Sequence, residues 1–197
     1  MGRDRAARPE ATPLRLFVAV DPPPAAVKAL DRALEPWRER LPGGRWVPPE
    51  NWHVTVKFLG RTWPRLVNLV HEACRDAAAR VRPFRVSVGE LGVFPSPRRA
   101  RVLWVALKDQ EGGLPALAKA LDEALAPEFP PEKRAFTPHL TVARFNPPVP
   151  VGDASEELAG FQVDVPPFRV GRLVLYRSHL SPRGARYEAL ETSPLGG

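Results

Sequence analysis

Two short stretches, His53-Val54-Thr55-Val56 and His139-Leu140-Thr141-Val142, repeat one pattern in the two halves of this chain. Each is a His-x-Thr-x tetrad within a run of apolar and β-branched residues, which is typical of a β-strand. Side chains alternate between the two faces of a strand, so histidine and threonine share one face and the two apolar residues share the other. Because the apolar face of a strand normally packs on the core, each tetrad presents an imidazole and a hydroxyl on the opposite face.

Two such strands supply a matched set of groups for acid–base chemistry on a phosphate. Imidazole titrates near neutral pH, so two facing histidines can serve as a general base and a general acid. Two threonine hydroxyls can donate hydrogen bonds to the oxygens of a phosphate held between them. The residues alone do not decide which of His53 and His139 is the acid and which is the base.

The order of the predicted elements favours an α+β fold. Several successive strands have no helix between them, which favours antiparallel pairing over a doubly wound parallel sheet. We expect one bilobal unit over 14–197 with a cleft between its lobes, preceded by a flexible extension over 1–13. The predicted strands are 14–20, 46–47, 53–59, 84–91, 101–107, 139–145, 168–178 and 185–190, and the predicted helices are 25–41 (with Pro36 inside it), 66–81 and 114–125.

Composition limits the class of protein and of partner. The chain has 197 residues, of which 44% are hydrophobic and 26% charged, an ordinary globular balance. Its net charge of +7 fits either an anionic partner or a merely solvated basic surface. The charged N-terminus lacks the apolar core of a signal peptide, and no run is long and apolar enough to span a bilayer. We therefore expect a cytoplasmic protein with no membrane partner.

The residue inventory argues against a metal or a cofactor. One cysteine, Cys74, excludes an internal disulfide and a Cys-rich metal site. The four histidines, His53, His71, His139 and His179, lack the spacing or the cysteine partner of a typical zinc site. The chain also has neither of the Gly-rich loops that bind nucleoside triphosphates or dinucleotides. We expect no metal and no cofactor, with His71 on the surface and His179 in a structural or peripheral role.

The tetrads and their flanks resemble the two-histidine (2H) phosphoesterases, and within them the RNA 2′,3′-cyclic phosphodiesterase or 2′-5′ RNA ligase family. The resemblance extends from Leu14 to Leu190. The stretches that carry it are RLFVAVD at 15–21, WVPPENWHVTVKFLG at 46–60, FTPHLTVAR at 136–144 and LYRSHLSPRGARY at 175–187.

This resemblance implies a fold and a reaction. The fold would have two lobes related by a pseudo-twofold axis, with two antiparallel sheets facing a central cleft and helices outside. The reaction would be metal-independent hydrolysis of a 2′,3′-cyclic phosphate at an RNA end, which gives a 2′-phosphate. In it, His53 would be the proton donor to the leaving 3′ oxygen and His139 the proton acceptor that activates water. Thr55 and Thr141 would bind the non-bridging oxygens.

Arg144 is a further candidate for the phosphate. Strict alternation places it on the face opposite Thr141, and a β-bulge or the end of the strand would return it to the same face. Arg183 and Arg186 are candidates for the rim of the cleft. Four aromatic residues could stack on a terminal base, although each also fits the core: Phe17, Trp46, Phe58 and Phe145.

Two alternatives stay open at the level of sequence. The same residues would serve a reversible 2′-5′ RNA ligase that joins a cyclic phosphate to a 5′-hydroxyl. A non-catalytic module that binds nucleotides or RNA ends is the second alternative, and the presence of both histidines argues against it. The expected partners are RNA ends that bear a 2′,3′-cyclic phosphate, and we expect a monomer.

Overall fold

The computed structural model describes residues 12–126, 128–132, 134–151, 154–182 and 184–196. Residues 1–11 of the predicted N-terminal extension lie outside this part of the chain, and so does Arg183 at the suggested cleft rim. None of the described helices has the length and hydropathy needed to cross a membrane.

Strands dominate the described chain, and five α-helices are inserted between them. The elements in chain order are β1 (Leu14–Val20), α1 (Pro24–Ala33), α2 (Glu35–Arg40), β2 (Gly44–Trp46), β3 (Val54–Thr62), α3 (Val67–Arg80), β4 (Phe84–Phe94), β5 (Ala100–Lys108), α4 (Gly113–Leu125), β6 (His139–Val149), α5 (Ser155–Ala159), β7 (Phe168–Val170), β8 (Arg172–Ser181) and β9 (Gly184–Pro194).

The strands form one curled sheet made of two similar halves. The order across it is β7-β4-β5-β6-β3-β1-β8-β9, and β2 pairs with β6. Every pairing is antiparallel. Apart from β2, each half has four strands with its tetrad strand innermost, and the halves join where Val54 of β3 pairs with Leu140 of β6. The predicted α+β class and the two-lobed antiparallel arrangement are confirmed.

Helices α3 and α4 pack against each other, and α3 also contacts β8 and β9 while α4 contacts β3. Helix α4 buries leucines at a spacing of three or four residues, which is one face of an α-helix. Burying each such side chain stabilises the fold by roughly 1.5–3 kcal/mol relative to exposure. The leucines of this stripe are Leu114, Leu117, Leu121 and Leu125.

The single helix predicted over 25–41 is wrong, because the chain forms two helices there. Helix α1 ends at Ala33, and Leu34 caps α1 and begins α2. Pro36 lies in the first turn of α2, where a missing N–H costs nothing. In the interior of one continuous helix the same proline would remove a hydrogen bond and clash with the preceding turn.

Candidate active site

The two tetrads lie side by side where the halves of the sheet meet. Val54 and Leu140 pair across β3 and β6 and are 3% and 2% exposed. Their side chains point into the core, so the residues on either side of each point to the opposite face. That face carries the four partly buried polar residues predicted from the sequence, His53, Thr55, His139 and Thr141.

Each tetrad strand carries a β-bulge at the fourth residue of its tetrad. On β3, Thr55 pairs with Ala19 and Lys57 with Val18, so Val56 is the extra residue. On β6, Thr141 pairs with Trp104 and Ala143 with Leu103, so Val142 is the extra residue. A bulge shifts the later side chains to the other face.

The bulge on β6 decides where Arg144 lies. Val142 and Ala143 are both fully buried, and Arg144 is the next exposed residue. Arg144 therefore shares a face with Thr141, which strict alternation would not allow. Its positive charge reaches His53, where it helps to lower the pKa of that histidine. The guanidinium thus belongs to the same electrostatic environment as the tetrads.

Both histidine rings are oriented by a backbone carbonyl two residues earlier. The Nδ1 atom of His53 lies 2.8 Å from the carbonyl oxygen of Asn51, and Nδ1 of His139 lies 2.7 Å from that of Thr137. A carbonyl only accepts hydrogen bonds, so Nδ1 carries the proton in both rings. In the neutral ring Nε2 is then the basic atom, and in the charged ring Nε2 is the second donor.

Aromatic residues of other strands pack against each imidazole. The ring of His53 is 4.7 Å from that of Phe17 and meets the edge of Tyr187 at 5.0 Å. The ring of His139 meets Phe94 at 5.3 Å and Trp104 at 6.1 Å, both edge to face. Packing of this kind limits rotation of the rings and keeps Nε2 in a fixed direction.

The surroundings of His53 favour its neutral form. Burial lowers the pKa of His53 below its ordinary value of 6.5, and the positive charges of Arg144 and His139 add to that effect. The hydrogen bond to the Asn51 carbonyl and the negative charge of Asp21 oppose it. Asp21 is itself held by the hydroxyl of Tyr176 at 2.9 Å.

A groove of about 930 Å³ opens beside His139 and Thr55. One wall comes from helix α4, at Pro115, Ala118 and Asp122, and another from residues 131–132 and 134–137. Phe94, which is 36% exposed, lies in the lining next to His139. The groove is therefore lined both by the aromatic side chain of Phe94 and by residues of the two tetrads.

The other two histidines lie on α3 and β8, not on a tetrad strand. His71 of α3 contacts the carboxylate of Glu191, and Nε2 of His179 lies 2.6 Å from Glu188. Within the described ranges, no three His, Cys, Asp or Glu side chains cluster as a metal site would require. The four tetrad side chains, two imidazoles and two hydroxyls, suit proton transfer and phosphate binding.

The 2′-5′ RNA ligase superfamily matches residues 22–182 of this chain. The chain belongs to this superfamily. The resemblance inferred from the tetrads and their flanks is therefore confirmed over most of the sequence, and it includes both histidines and both threonines of the tetrads.

Individual members of the superfamily match along nearly their whole length. A protein of Methanothermobacter thermautotrophicus named RNA 2′,3′-cyclic phosphodiesterase is 33% identical over 180 residues, which cover 90% of this chain and 97% of that protein. The crystal structure of TT0787 of Thermus thermophilus has a TM-score of 0.73 and 28% identity, covering 93% of this chain and 99% of that one. The structure of E. coli LigT complexed with phosphate has a TM-score of 0.64 and 25% identity, covering 94% and 99%.

Sequence reasoning identified the tetrads but not what orients them. The carbonyl partners of the histidines belong to Asn51 and Thr137, whose side chains give no signal. The shared spacing of two residues before each histidine is the one feature that could have indicated them. Of the candidates for base stacking, Phe17 and Phe145 are buried at 3% and 2% exposure, whereas Phe58 is 44% exposed.

Proposed function

We propose that this protein hydrolyses 2′,3′-cyclic phosphates at RNA ends to 2′-phosphates, with His53 and His139 as its acid and base. The observation that carries the proposal is the matched orientation of the two imidazoles. Each has Nδ1 bound to a carbonyl, so each has Nε2 available for proton transfer. The name of the relative from M. thermautotrophicus supports the same substrate class.

In the proposed reaction, water attacks phosphorus as Nε2 of His139 takes its proton. The bond between phosphorus and the 3′ oxygen breaks, and Nε2 of His53 gives its proton to that oxygen. The product keeps the phosphate on the 2′ oxygen. Thr55 and Thr141 donate to the non-bridging oxygens, and Arg144 offsets the charge that grows on them in the transition state. No step requires a metal or a cofactor, and their absence from the reaction stays a prediction.

The lowered pKa of His53 bears on its role as the proton donor. A donor must be protonated, and in the free protein burial favours the neutral ring. A bound phosphodiester brings a negative charge next to His53, which favours the protonated form. The acid is therefore charged as substrate binds, and turnover should fall on the alkaline side when this proton is lost.

The groove beside His139 gives room for the nucleoside that carries the phosphate. Its volume of about 930 Å³ is continuous with Thr55 and His139. Phe94 offers an exposed ring face, and stacking of a base on an aromatic ring contributes about 1–3 kcal/mol. The phosphate in the E. coli LigT complex supports anion binding in this fold.

Reversible 2′-5′ ligation is the second candidate, because the same residues would serve it. A 5′-hydroxyl of a second RNA end would take the place of the attacking water, and His139 would take its proton in the same way. In dilute RNA, water is far more abundant than 5′-hydroxyl ends, so mass action favours hydrolysis over ligation. A cytoplasmic location and a monomeric state also stay predictions.

The decisive test uses an oligoribonucleotide that ends in a 2′,3′-cyclic phosphate, incubated with the full chain and excess EDTA. Phosphorus NMR then identifies the product. We expect complete conversion to the 2′-phosphate alone. No conversion in EDTA followed by conversion with added Mg²⁺ or Zn²⁺ would overturn the metal-independent reaction. Tight binding without any conversion would favour the non-catalytic module.

A further inference from the structure

Lys57 is a buried cation directly behind the first tetrad. Its side chain is 4% exposed, although lysine is almost always exposed in folded proteins. Its ammonium group contacts the carboxylate of Asp122 on helix α4 and donates to the carbonyl of Pro130 at 3.0 Å. Two of its three donors are therefore engaged by residues far along the chain.

Packing alone does not account for a lysine at this position. The equivalent residue of the second half, directly after the bulge on β6, is Ala143, which is fully buried. The fold thus accepts a small apolar side chain behind a tetrad. A buried ion pair loses hydration that its Coulomb attraction regains only with good geometry, and apolar replacements of such pairs are often neutral. Stability alone therefore does not explain a lysine at this position.

The segment that Lys57 holds leads directly into His139. Lys57 fixes it at the carbonyl of Pro130, and the N–H of Leu107 fixes its other end at the carbonyl of Pro138, 3.2 Å away. Between these two points, Thr137 supplies the carbonyl that binds Nδ1 of His139. Residues of the same segment also form a wall of the groove.

We propose that Lys57, together with Asp122, is a positioning group for His139. It connects the strand of the first tetrad to the segment whose carbonyl sets the tautomer of the second histidine. If that segment moves, the proton of the neutral ring can shift from Nδ1 to Nε2, and Nε2 then cannot accept a proton. The consequence for turnover rests on the proposed function, whereas the consequence for the tautomer does not.

The first half holds its histidine by a different device, which provides an internal control. The segment before His53 is fixed by the side chain of Asn51, which donates to the carbonyl of Ala185 at 3.0 Å. The indole N–H of Trp52 also donates to the carbonyl of Val47 at 3.0 Å. Lys57 takes part in neither bond, so its removal should leave His53 unchanged.

The test compares the full chain with Lys57→Met, which keeps most of the side-chain volume, and with Lys57→Arg, which keeps the charge. The free Asp122 left by the methionine variant can be hydrated, because its side chain is 33% exposed. Nitrogen-15 NMR of the imidazoles without substrate reports the tautomer of each histidine. Steady-state hydrolysis of a 2′,3′-cyclic nucleotide reports kcat and KM separately.

We expect Lys57→Met to give a mixture of tautomers at His139 and the unchanged Nδ1–H form at His53. We expect kcat to fall by about tenfold or more, with a smaller change in KM, and Lys57→Arg to restore part of it. If the methionine variant does not fold, Asp122→Asn weakens the same contact and should shift His139 in the same direction.

An unchanged His139 tautomer in a folded Lys57→Met or Asp122→Asn variant would overturn the proposal, whatever happens to stability. A changed tautomer with no hydrolysis in any protein, the wild type included, would leave the positioning role intact and refute the proposed function. Equal changes at His53 and His139 would indicate a general loosening of the sheet, which also contradicts a specific role.

Discussion

Phe58 and Arg144 occupy equivalent positions in the two halves of the sheet, each five residues after its histidine and each behind a bulge. Both are exposed. Phe58 lies under the guanidinium of Arg15 at 4.7 Å, whereas Arg144 adds its charge to the surroundings of His53. The tetrads are alike, but the positions beyond them are not: one carries an aromatic ring beneath Arg15, and the other carries a cation that acts on His53.

Arg144→Ala should weaken substrate binding, and its effect should depend on salt. Loss of one phosphate contact lowers the dependence of log KM on log salt by about one unit. Phe58→Ala is the matched control, because it removes an exposed side chain at the equivalent position without removing a charge. Measuring KM for a cyclic-phosphate oligonucleotide at several salt concentrations distinguishes the two. Equal slopes for Arg144→Ala and the wild type would place Arg144 outside the phosphate site.

His53→Ala and His139→Ala should each lower kcat by roughly 10²–10⁴-fold, the usual contribution of a positioned acid or base. The double variant should be little worse than either single one, because the two groups act as a unit. His179→Ala is the control, since His179 lies on β8, not on a tetrad strand, and contacts Glu188. A tetrad variant that retains more than about a tenth of kcat would contradict its assigned role.

Acid should destabilise the protein partly through His53. Its pKa is lowered in the folded state, so below the ordinary value of 6.5 the unfolded chain binds this proton more readily than the folded one. That difference favours unfolding as pH falls below 6.5, and it disappears in His53→Gln. Urea unfolding at pH 7.5 and 5.5 should therefore show a smaller loss of unfolding free energy in the variant. Parallel losses in both proteins would be inconsistent with a lowered pKa.

Cys74 should resist thiol reagents in the folded protein. It is 1% exposed, and burial raises the pKa of its thiol to about 12, with a smaller contribution from the charge of Glu191. At pH 8 the reactive thiolate is then about 10⁻⁴ of the total. Labelling with Ellman's reagent should be slow in buffer and complete in guanidinium chloride. Rapid labelling of the native protein would show that α3 is less tightly packed than the structure indicates.

Much of the fold could be predicted because its signals are local. Strand β1 spans 14–20 as predicted, and no end of helix α3 or α4 differs from its predicted position by more than one residue. The spacing of apolar residues predicts these elements, and prolines and glycines mark where they end. The division between α1 and α2 was only hinted at by Pro36, since a proline inside a helical pattern can bend a helix or begin a new one.

The side on which Arg144 lies could not be predicted in the same way. It depends on the bulge at Val142, and a bulge is set by pairing with β5 rather than by the residues of β6. The role of Lys57 was invisible for a similar reason. Asp122 and Pro130 lie 65 and 73 residues further along the chain and approach Lys57 only in the folded protein.

The most direct test of the two-histidine account is the rate of each histidine variant on a substrate in which sulfur replaces the bridging 3′ oxygen. A thiolate leaves without protonation, so this substrate needs a base but no acid. If His53 is the acid and His139 the base, His53→Asn hydrolyses the sulfur substrate at nearly the wild-type rate, while His139→Asn stays inactive on both substrates. Recovery of His139→Asn in place of His53→Asn, or failure of both variants to recover, would contradict that assignment.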